Sequence, residues 1–558
     1  MSIAEPPQSA QLPALDRRTL LKSGGLGLGL GASLAASPLA AQINARGFTH
    51  GVASGEPSQN SVLLWTRYAA AQDTVLDWQV LDLEYRSQVV AEGQVTASPA
   101  RDFCVKVIAE GLQPGRWYEY RFTAPDGSAS DIGRTRTLPE GPTEQFRMAV
   151  FSCSNIGFGW FNAYTHLAEA NDVDLVYHAG DYFYEYAPGT YPSVDQALTE
   201  RLGLDPASET VSLADYRLRF ATYRRDRDLQ RLHQMYPMIS GWDDHESTND
   251  SYATGAQNHQ PETEGDWDVR KRAAMRAYRE WMPVSDNPWE AYEIGDLATI
   301  YRLETRLTSR GKPASFAELL RGSQSPETAL ASLTDFRDGA YLDPARHMLG
   351  TAQEDWLASG MKASRGAGKT WQVLAQQVLM GRVSTPVSFA DALPENVPDF
   401  VRQRVIAGAM ASRAGLPLNM DAWDGYPAAR ARVFEAALNA EANLISLAGD
   451  THNAWAFELA HDSTPVGVEF GGQSVTSPGF ENFLGGVDER LVSGALVQEN
   501  PQLSWANTAK RGYMVVELTP SRATSEYRFL DGVRERGTAL SGTQRMVSEA
   551  GSHKLTLS

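Results

Sequence analysis

Val173-Asp174-Leu175-Val176-Tyr177-His178-Ala179-Gly180-Asp181-Tyr182-Phe183-Tyr184 is the stretch that decides the fold. Val173 to Ala179 is a short apolar run that stops on glycine, the pattern of a strand buried on both faces of a sheet. A carboxylate and a cluster of tyrosines follow at once. The same grammar recurs twice: Phe146 to Phe151 runs into Cys153-Ser154-Asn155, and Leu444 to Ala448 into Gly449-Asp450-Thr451-His452. A fourth segment, Trp242-Asp243-Asp244-His245-Glu246, carries the same residue types. Layered α/β sheets present their sites just past strand ends. Hard and borderline metal donors repeated there, from Cys153 to His452, point to one composite metal site.

Outward from these strands the chain alternates. Asn162 to Asn171 reads as a short amphipathic helix closing a βαβ unit. Leu213 to Tyr236 and Asp268 to Trp281 read as arginine-rich helices, Gly350 to Leu357 opens another, and Trp371 to Met380 reads as a strand. Pro427 to Ala440 reads as a helix with proline in its first turn. Tyr186 to Ser212 and Ser309 to Asp338 are loop-rich insertions of the kind that lid a sheet edge. Ahead of all this, short strands between Phe48 and Pro139 alternate with Pro- and Gly-bearing turns, which predicts an all-β sandwich. Gly111-Leu112-Gln113-Pro114-Gly115 followed by Tyr118 resembles the late-strand corner of fibronectin-type domains. Leu138 to Thr143 is the linker. The expected organisation is therefore a leader over 1–41, an N-terminal fibronectin/Ig-like β-sandwich over 42–140 and a layered α/β domain over 141–545. There is no internal repeat.

The 558 residues exceed one ordinary core. Their 42% apolar content, with 13 Trp and 21 Tyr, suits a globular protein. A net charge of −18 repels nucleic acid and anionic membranes, so neither is an expected partner. Arg17-Arg18-Thr19-Leu20-Leu21-Lys22, a glycine-rich apolar stretch and Ser37-Pro38-Leu39-Ala40-Ala41 form a twin-arginine export signal. The expectation is export in the folded state, through the twin-arginine machinery, to the periplasm or medium, with metal loaded beforehand. The alternative, a membrane anchor, is disfavoured because the stretch is too short and too glycine-rich to span. A disulfide between the two cysteines, Cys104 and Cys153, competes with metal ligation by Cys153; ligation is the expectation.

The four segments resemble the calcineurin-like metallophosphatases, whose ligands are strung as Asp-x-His, Gly-Asp, Gly-Asn-His-Glu and Gly-His-x-His. Here Cys153 stands where Asp is usual, Asp244 where Asn is, and Asp450 where the first late His is. Those departures, with Tyr184 three after Asp181, resemble the alkaline phosphatase D (PhoD-like) branch. So do Phe48-Thr49-His50-Gly51-Val52-Ala53-Ser54-Gly55-Glu56-Pro57, Trp423-Asp424-Gly425-Tyr426-Pro427 and Arg511-Gly512-Tyr513. The resemblance runs from about Phe48 to Tyr527.

It implies a calcineurin-like β-sandwich flanked by helices. It also implies a secreted, monomeric phosphohydrolase that releases phosphate from phosphomonoesters by attack of metal-activated hydroxide, with no phosphoserine intermediate. The expected metal ligands are Cys153, Asp181, Tyr184, Asp244, Asp450 and His452, with Asp181 bridging two cations. Asp243 is not separable from Asp244 by spacing, and Tyr182, Tyr184 and Tyr186 also read as an aromatic stripe. Thiolate and phenolate favour Fe3+ at one position. Added carboxylates favour Ca2+ at the other, with other divalent metals as alternatives. His245 corresponds to the family histidine that contacts phosphate and protonates the leaving oxygen; Glu246 either orients its ring or serves equally as a carboxylate at a helix N-terminus. Arg270 is the expected phosphate clamp because guanidinium matches phosphate bidentately; Arg272 and Arg306 are its rivals. His178 is expected to be a core residue. A phosphodiesterase or phospholipase D-like enzyme acting on lipid or polymer esters is the second reading, and a non-catalytic surface-binding protein the third.

Overall fold

Strand Phe146–Phe151 shows why the sequence runs apolar without alternation. Phe146, Met148 and Val150 point into one core, while Ala149 and Phe151 point into another. In this computed structural model, which describes residues 46–85, 88–393, 399–484 and 487–558, the first of those cores lies between two large sheets. Phe146–Phe151, Leu175–His178 and Pro237–Ser240 pair in parallel inside a ten-stranded sheet. Ala298–Arg302, Trp371–Ala375, Leu444–Ala448 and Thr464–Gly471 pair in parallel inside a seven-stranded sheet. Ile300, Val373, Ile445 and Phe470 from the second sheet meet Met148, Val150, Leu175 and Ile239 from the first.

Helices cover both outer faces. Asn162–Ala170, Leu213–Tyr223, Arg227–Met235 and Trp267–Trp281 pack on the ten-stranded sheet, burying Leu167, Phe220, Leu232 and Trp281. Thr351–Gly366, Pro427–Asn439 and Glu489–Glu499 pack on the other through Leu357, Phe434 and Leu496. The result is the helix-flanked sandwich expected of a calcineurin-like fold.

Single-element readings hold to within a few residues, with three exceptions. The segment Ser309 to Asp338, read as loop, carries a helix over Pro326–Asp338 that the Ser325 side chain caps by accepting from the Thr328 amide. The helix expected over Leu213 to Tyr236 is two helices, because the Asp226 carboxylate caps the second by accepting from the amides of Asp228 and Leu229. Strand Trp371–Ala375 ends earlier than expected; Gln376 and Gln377 are buried and send their amide groups across to Ser446 and Leu303.

The segment read as a sandwich is all β. Strands Thr74–Asp82, Val89–Ala97, Trp117–Thr123 and Gly133–Arg136 form a four-stranded sheet. Tyr118 hydroxyl accepts from the Gln113 amide at 2.8 Å, which is the corner read from sequence. The facing strands Gly47–Gly55, Ser61–Ala69 and Cys104–Glu110 belong to the ten-stranded sheet, joined to it by parallel pairing of Ser54 with Pro237. Val52, Leu64 and Val105 face the small sheet, whereas Ala53, Trp65 and Cys104 face the helix layer. The His50–Pro57 motif thus serves packing: the His50 ring lies edge-on to Trp281, and Glu56 pairs with Arg302 at 3.2 Å. Residues 1–41, the expected export signal, lie outside the described residues. Among the described residues no helix is long and apolar enough to cross a membrane.

Candidate metal centre

The parallel strands of both sheets end at one edge, and the residues singled out by sequence gather there. Cys153, Asp181 and His452 form one group of donor atoms within 4.8 Å of one another; Asp181, Asp244 and His245 form a second; Asp243, Asp244 and Asp450 a third. Asp181 and Asp244 each belong to two groups. The turns that carry these donors are tight. Cys153, Asp181, Asp450 and His452 have φ of 58°, 53°, 64° and 62°, the left-handed region that L-residues seldom occupy. Gly180 must be glycine: a Cβ there would stand 2.4 Å from the Cβ of Asp243.

Tyr184 settles into the first group rather than into an aromatic stripe alone. Its hydroxyl donates to Asp181 Oδ2 at 3.1 Å, accepts from Ser477 Oγ at 2.8 Å and stands 3.1 Å from His452 Nε2. His452 Nδ1–H donates to the Pro478 carbonyl at 2.9 Å, leaving Nε2 as the lone-pair nitrogen aimed at the group, as metal-binding imidazoles are held. Burial holds that imidazole neutral, its pKa pulled down to about 3. Burial and the neighbouring Asp181 carboxylate push the Cys153 thiol and the Tyr184 phenol well up, so either ionises here only beside a cation. Both cysteines are buried and free, without a disulfide between them.

The donor set fits a metal. Asp181 Oδ1 and Asp243 Oδ2 are buried oxygens with no hydrogen-bond partner, a costly arrangement unless a cation faces them. Burial, reinforced by the adjacent carboxylates, raises the Asp181 carboxyl far above its ordinary range and Asp243 to about 6.

Two expected roles change hands. Glu246 does not touch His245. Its carboxylate accepts the backbone N–H groups of Asp181, Tyr182 and Asp243 at 3.1, 2.6 and 2.8 Å, locking two ligand turns together. The partner of His245 is Glu185, fully buried, 2.6 Å from Nδ1 and also holding Thr248 Oγ1 and the Asn249 amide. Burial opposes charge on His245, but the carboxylates of Glu185, Asp244 and Asp181 outweigh it and raise its pKa.

Arg270 is not at the cluster. All its N–H groups are committed elsewhere: to Tyr216 hydroxyl, the Asn258 and Thr210 carbonyls, Glu264 and Glu209. It braces the loop whose Asn258 donates to Glu185, two contacts away from His245. The guanidinium that does reach the acidic ligands is Arg306, in contact with Asp243 and Asp450. His178 is buried against Tyr164 hydroxyl at 3.1 Å, a core residue as expected.

Sequence reading missed Glu185, Ser477 and Asp421, and assigned no role to Arg511. Arg511 ties the carbonyls of His452 and Ser477 together and pairs with Glu481 at 2.9 Å. The one available signal was the Gly471-Gly472-Gln473-Ser474 turn closing the apolar strand before Ser477, which repeats the grammar of the other ligand loops.

Residues 148–527 match the family described as PhoD-like phosphatase, and residues 33–139 match that family's N-terminal domain. The chain belongs to the PhoD-like phosphatases. It is 32% identical over 568 aligned residues to alkaline phosphatase D of Bacillus subtilis (strain 168), with 96% of this chain and 88% of that protein covered. A solved structure of PhoD superposes with a TM-score of 0.73 at 30% identity, covering 92% of each chain. The protein is accordingly a metal-dependent hydrolase of phosphoric esters built on the calcineurin-like fold.

Proposed function

We propose that this PhoD-like phosphatase releases phosphate from phosphomonoesters at a centre of unlike metals joined through Asp181. The membership of Asp181 in two donor groups, with Oδ1 unpartnered, carries the reading. Cys153, Tyr184 and His452 beside Asp181 suit ferric iron; Asp244 and Asp450, with Asp243 beside them, suit calcium. Metal ions held there would supply the Lewis acid that activates water and binds the phosphoryl oxygens.

The chain's own residues do the rest. Glu185 commits one ring nitrogen of His245, which leaves the other to pass a proton to the leaving oxygen. Arg306 is the cation placed to answer negative charge gathering at the acidic ligands. Tyr186 lies beside the His245 imidazole, with ring centroids 5.5 Å apart. The twin-arginine motif at Arg17 and Arg18 supports export of the folded enzyme to the periplasm or medium.

The test is Asp181→Asn, which keeps a side chain at ease with positive φ while removing the charge. Metal analysis of the variant should show both metals lost and turnover of aryl phosphate abolished; a variant that retains metal and turnover refutes the reading. The ratio of rates on mono- and bis-aryl phosphates decides between monoesterase and diesterase.

A further inference from the structure

Strand Ala298–Arg302 runs out into Leu303-Glu304-Thr305-Arg306, a turn that the Glu304 carboxylate holds by accepting the N–H groups of Arg306, Leu307 and Thr308 at 2.8, 2.7 and 2.9 Å. The turn drives Arg306 inward until its side chain is fully buried. Nε contacts Asp243. One terminal nitrogen lies 2.5 Å from Asp421 Oδ2, and the other lies 3.2 Å from Asp450 Oδ1 and 3.6 Å from Asp244 Oδ1. One guanidinium therefore faces four carboxylates drawn from three separate loops.

Carboxylates this close and this buried cannot all stay ionised without a positive partner. A guanidinium supplies that charge permanently, since it does not deprotonate in proteins. The two sides of Arg306 also differ. Nε and one terminal nitrogen are anchored on Asp243 and on Asp421, which Arg310 fixes in turn at 2.7 Å. Only the remaining nitrogen meets Asp244 and Asp450, the two acids expected to bind metal.

We propose that Arg306 is an internal cation that gathers Asp243, Asp244 and Asp450 before metal is loaded, and that its charge lowers the affinity of that acidic group for a divalent ion. The proposal rests on the metal-centre reading above. An incoming cation displaces one guanidinium corner from Asp244 and Asp450 while the anchored side stays in place, so the acids remain assembled in both states.

The experiment compares full-length wild type, Arg306→Gln and Arg306→Lys, each stripped with chelator and melted with and without added calcium. Without metal, Arg306→Gln should melt about 3–5 °C lower, the size expected for breaking a buried ion pair in a chain of this length. Calcium should then raise its melting temperature by more than it raises that of wild type. Arg306→Lys, which keeps the charge but on a single nitrogen, should fall between wild type and Arg306→Gln in both respects. If metal-free Arg306→Gln does not fold, refolding in calcium should recover it.

The proposal is overturned if metal-free Arg306→Gln melts with wild type, if calcium shifts the two equally, if Arg306→Lys behaves as Arg306→Gln, or if an unfolded Arg306→Gln is not recovered by calcium. A wild type that shifts with no calcium, manganese or iron removes the metal-centre reading and this proposal with it. Equal shifts remove the proposal alone.

Discussion

Tyr184→Phe separates a ligand from a packing residue more cleanly than any other change. The ring keeps its neighbours, with centroids 4.2 Å from His245 and 5.8 Å from Tyr191. Only the hydroxyl goes, and with it the contacts to Asp181, His452 and Ser477. Unpairing buried partners of this kind costs about 1–3 kcal/mol, which for a chain of this length is a fall of about 1–3 °C in Tm. That small loss is the whole effect expected of a hydroxyl that only hydrogen-bonds. A phenolate bound to ferric iron predicts much more: loss or displacement of a visible absorption band, and turnover down by at least ~10–100-fold, the range seen when residues merely supporting a metal are removed. The assay is absorption spectroscopy and iron analysis on wild type and variant, with turnover on an aryl phosphate and a melting curve as the fold control. A variant that keeps colour, iron and turnover refutes ligation by Tyr184, and a colourless, iron-free, fully active wild type refutes the iron assignment altogether.

Arg270→Met should cost about 3–5 kcal/mol of stability by stranding Glu209 and Glu264, with little change in KM; a large rise in KM at undiminished Tm would restore the phosphate-clamp role. Glu469, buried in the seven-stranded sheet, has its carboxyl raised by burial to about 7 from 4.5. The folded form therefore holds that proton more tightly, and the stabilisation, on the order of 3 kcal/mol, is complete below about pH 4.5 and lost as pH rises through about 7. Glutamine matches the protonated carboxyl, so melting wild type and Glu469→Gln across that window should show the variant gaining on wild type as pH rises, and parallel curves would rule the effect out. Replacing Arg17 and Arg18 together by Lys should leave active precursor in the cytoplasm on fractionation, and unchanged export would reject the twin-arginine assignment.

What was legible in the sequence is what depends on near neighbours along the chain. A strand buried on both faces has to be apolar without alternation, and a donor placed after its terminal glycine has to sit at the sheet edge. Asp181 and Asp450 could therefore be placed from the sequence, and Cys153, which follows Phe151-Ser152 with no glycine, from its strand end alone. The role of Arg270 could not, because a guanidinium's partner depends on which loop packs against it: Glu209 lies 61 residues away in the chain, and Asp421 lies 115 from Arg306. Glu246 looked like the partner of His245 because it is adjacent in sequence, yet adjacent residues in a turn point apart, and Glu185 reaches the imidazole from another loop. The strand pairing of Ser54 with Pro237, which merges the N-terminal strands into the large sheet, carries no local signature either. The break at Asp226 was visible in principle, since an aspartate after a pair of arginines is an ordinary cap that a continuous helical period conceals.

The left-handed backbone at four of the donor positions also restricts what can replace them. Away from glycine, that conformation is entered most readily by asparagine, aspartate and histidine, and these are themselves oxygen and nitrogen donors to metals. At positions 181, 450 and 452 the residues that the backbone tolerates are thus largely the residues that can coordinate an ion. An exchange such as aspartate for histidine at 450 alters the hardness of the donor while leaving the turn at ease. Drift at these positions retunes the choice of metal sooner than it destroys the site. Cys153 is the exception, a thiol with no ease in that conformation, and its replacement by aspartate should relax the chain as it hardens the ligand.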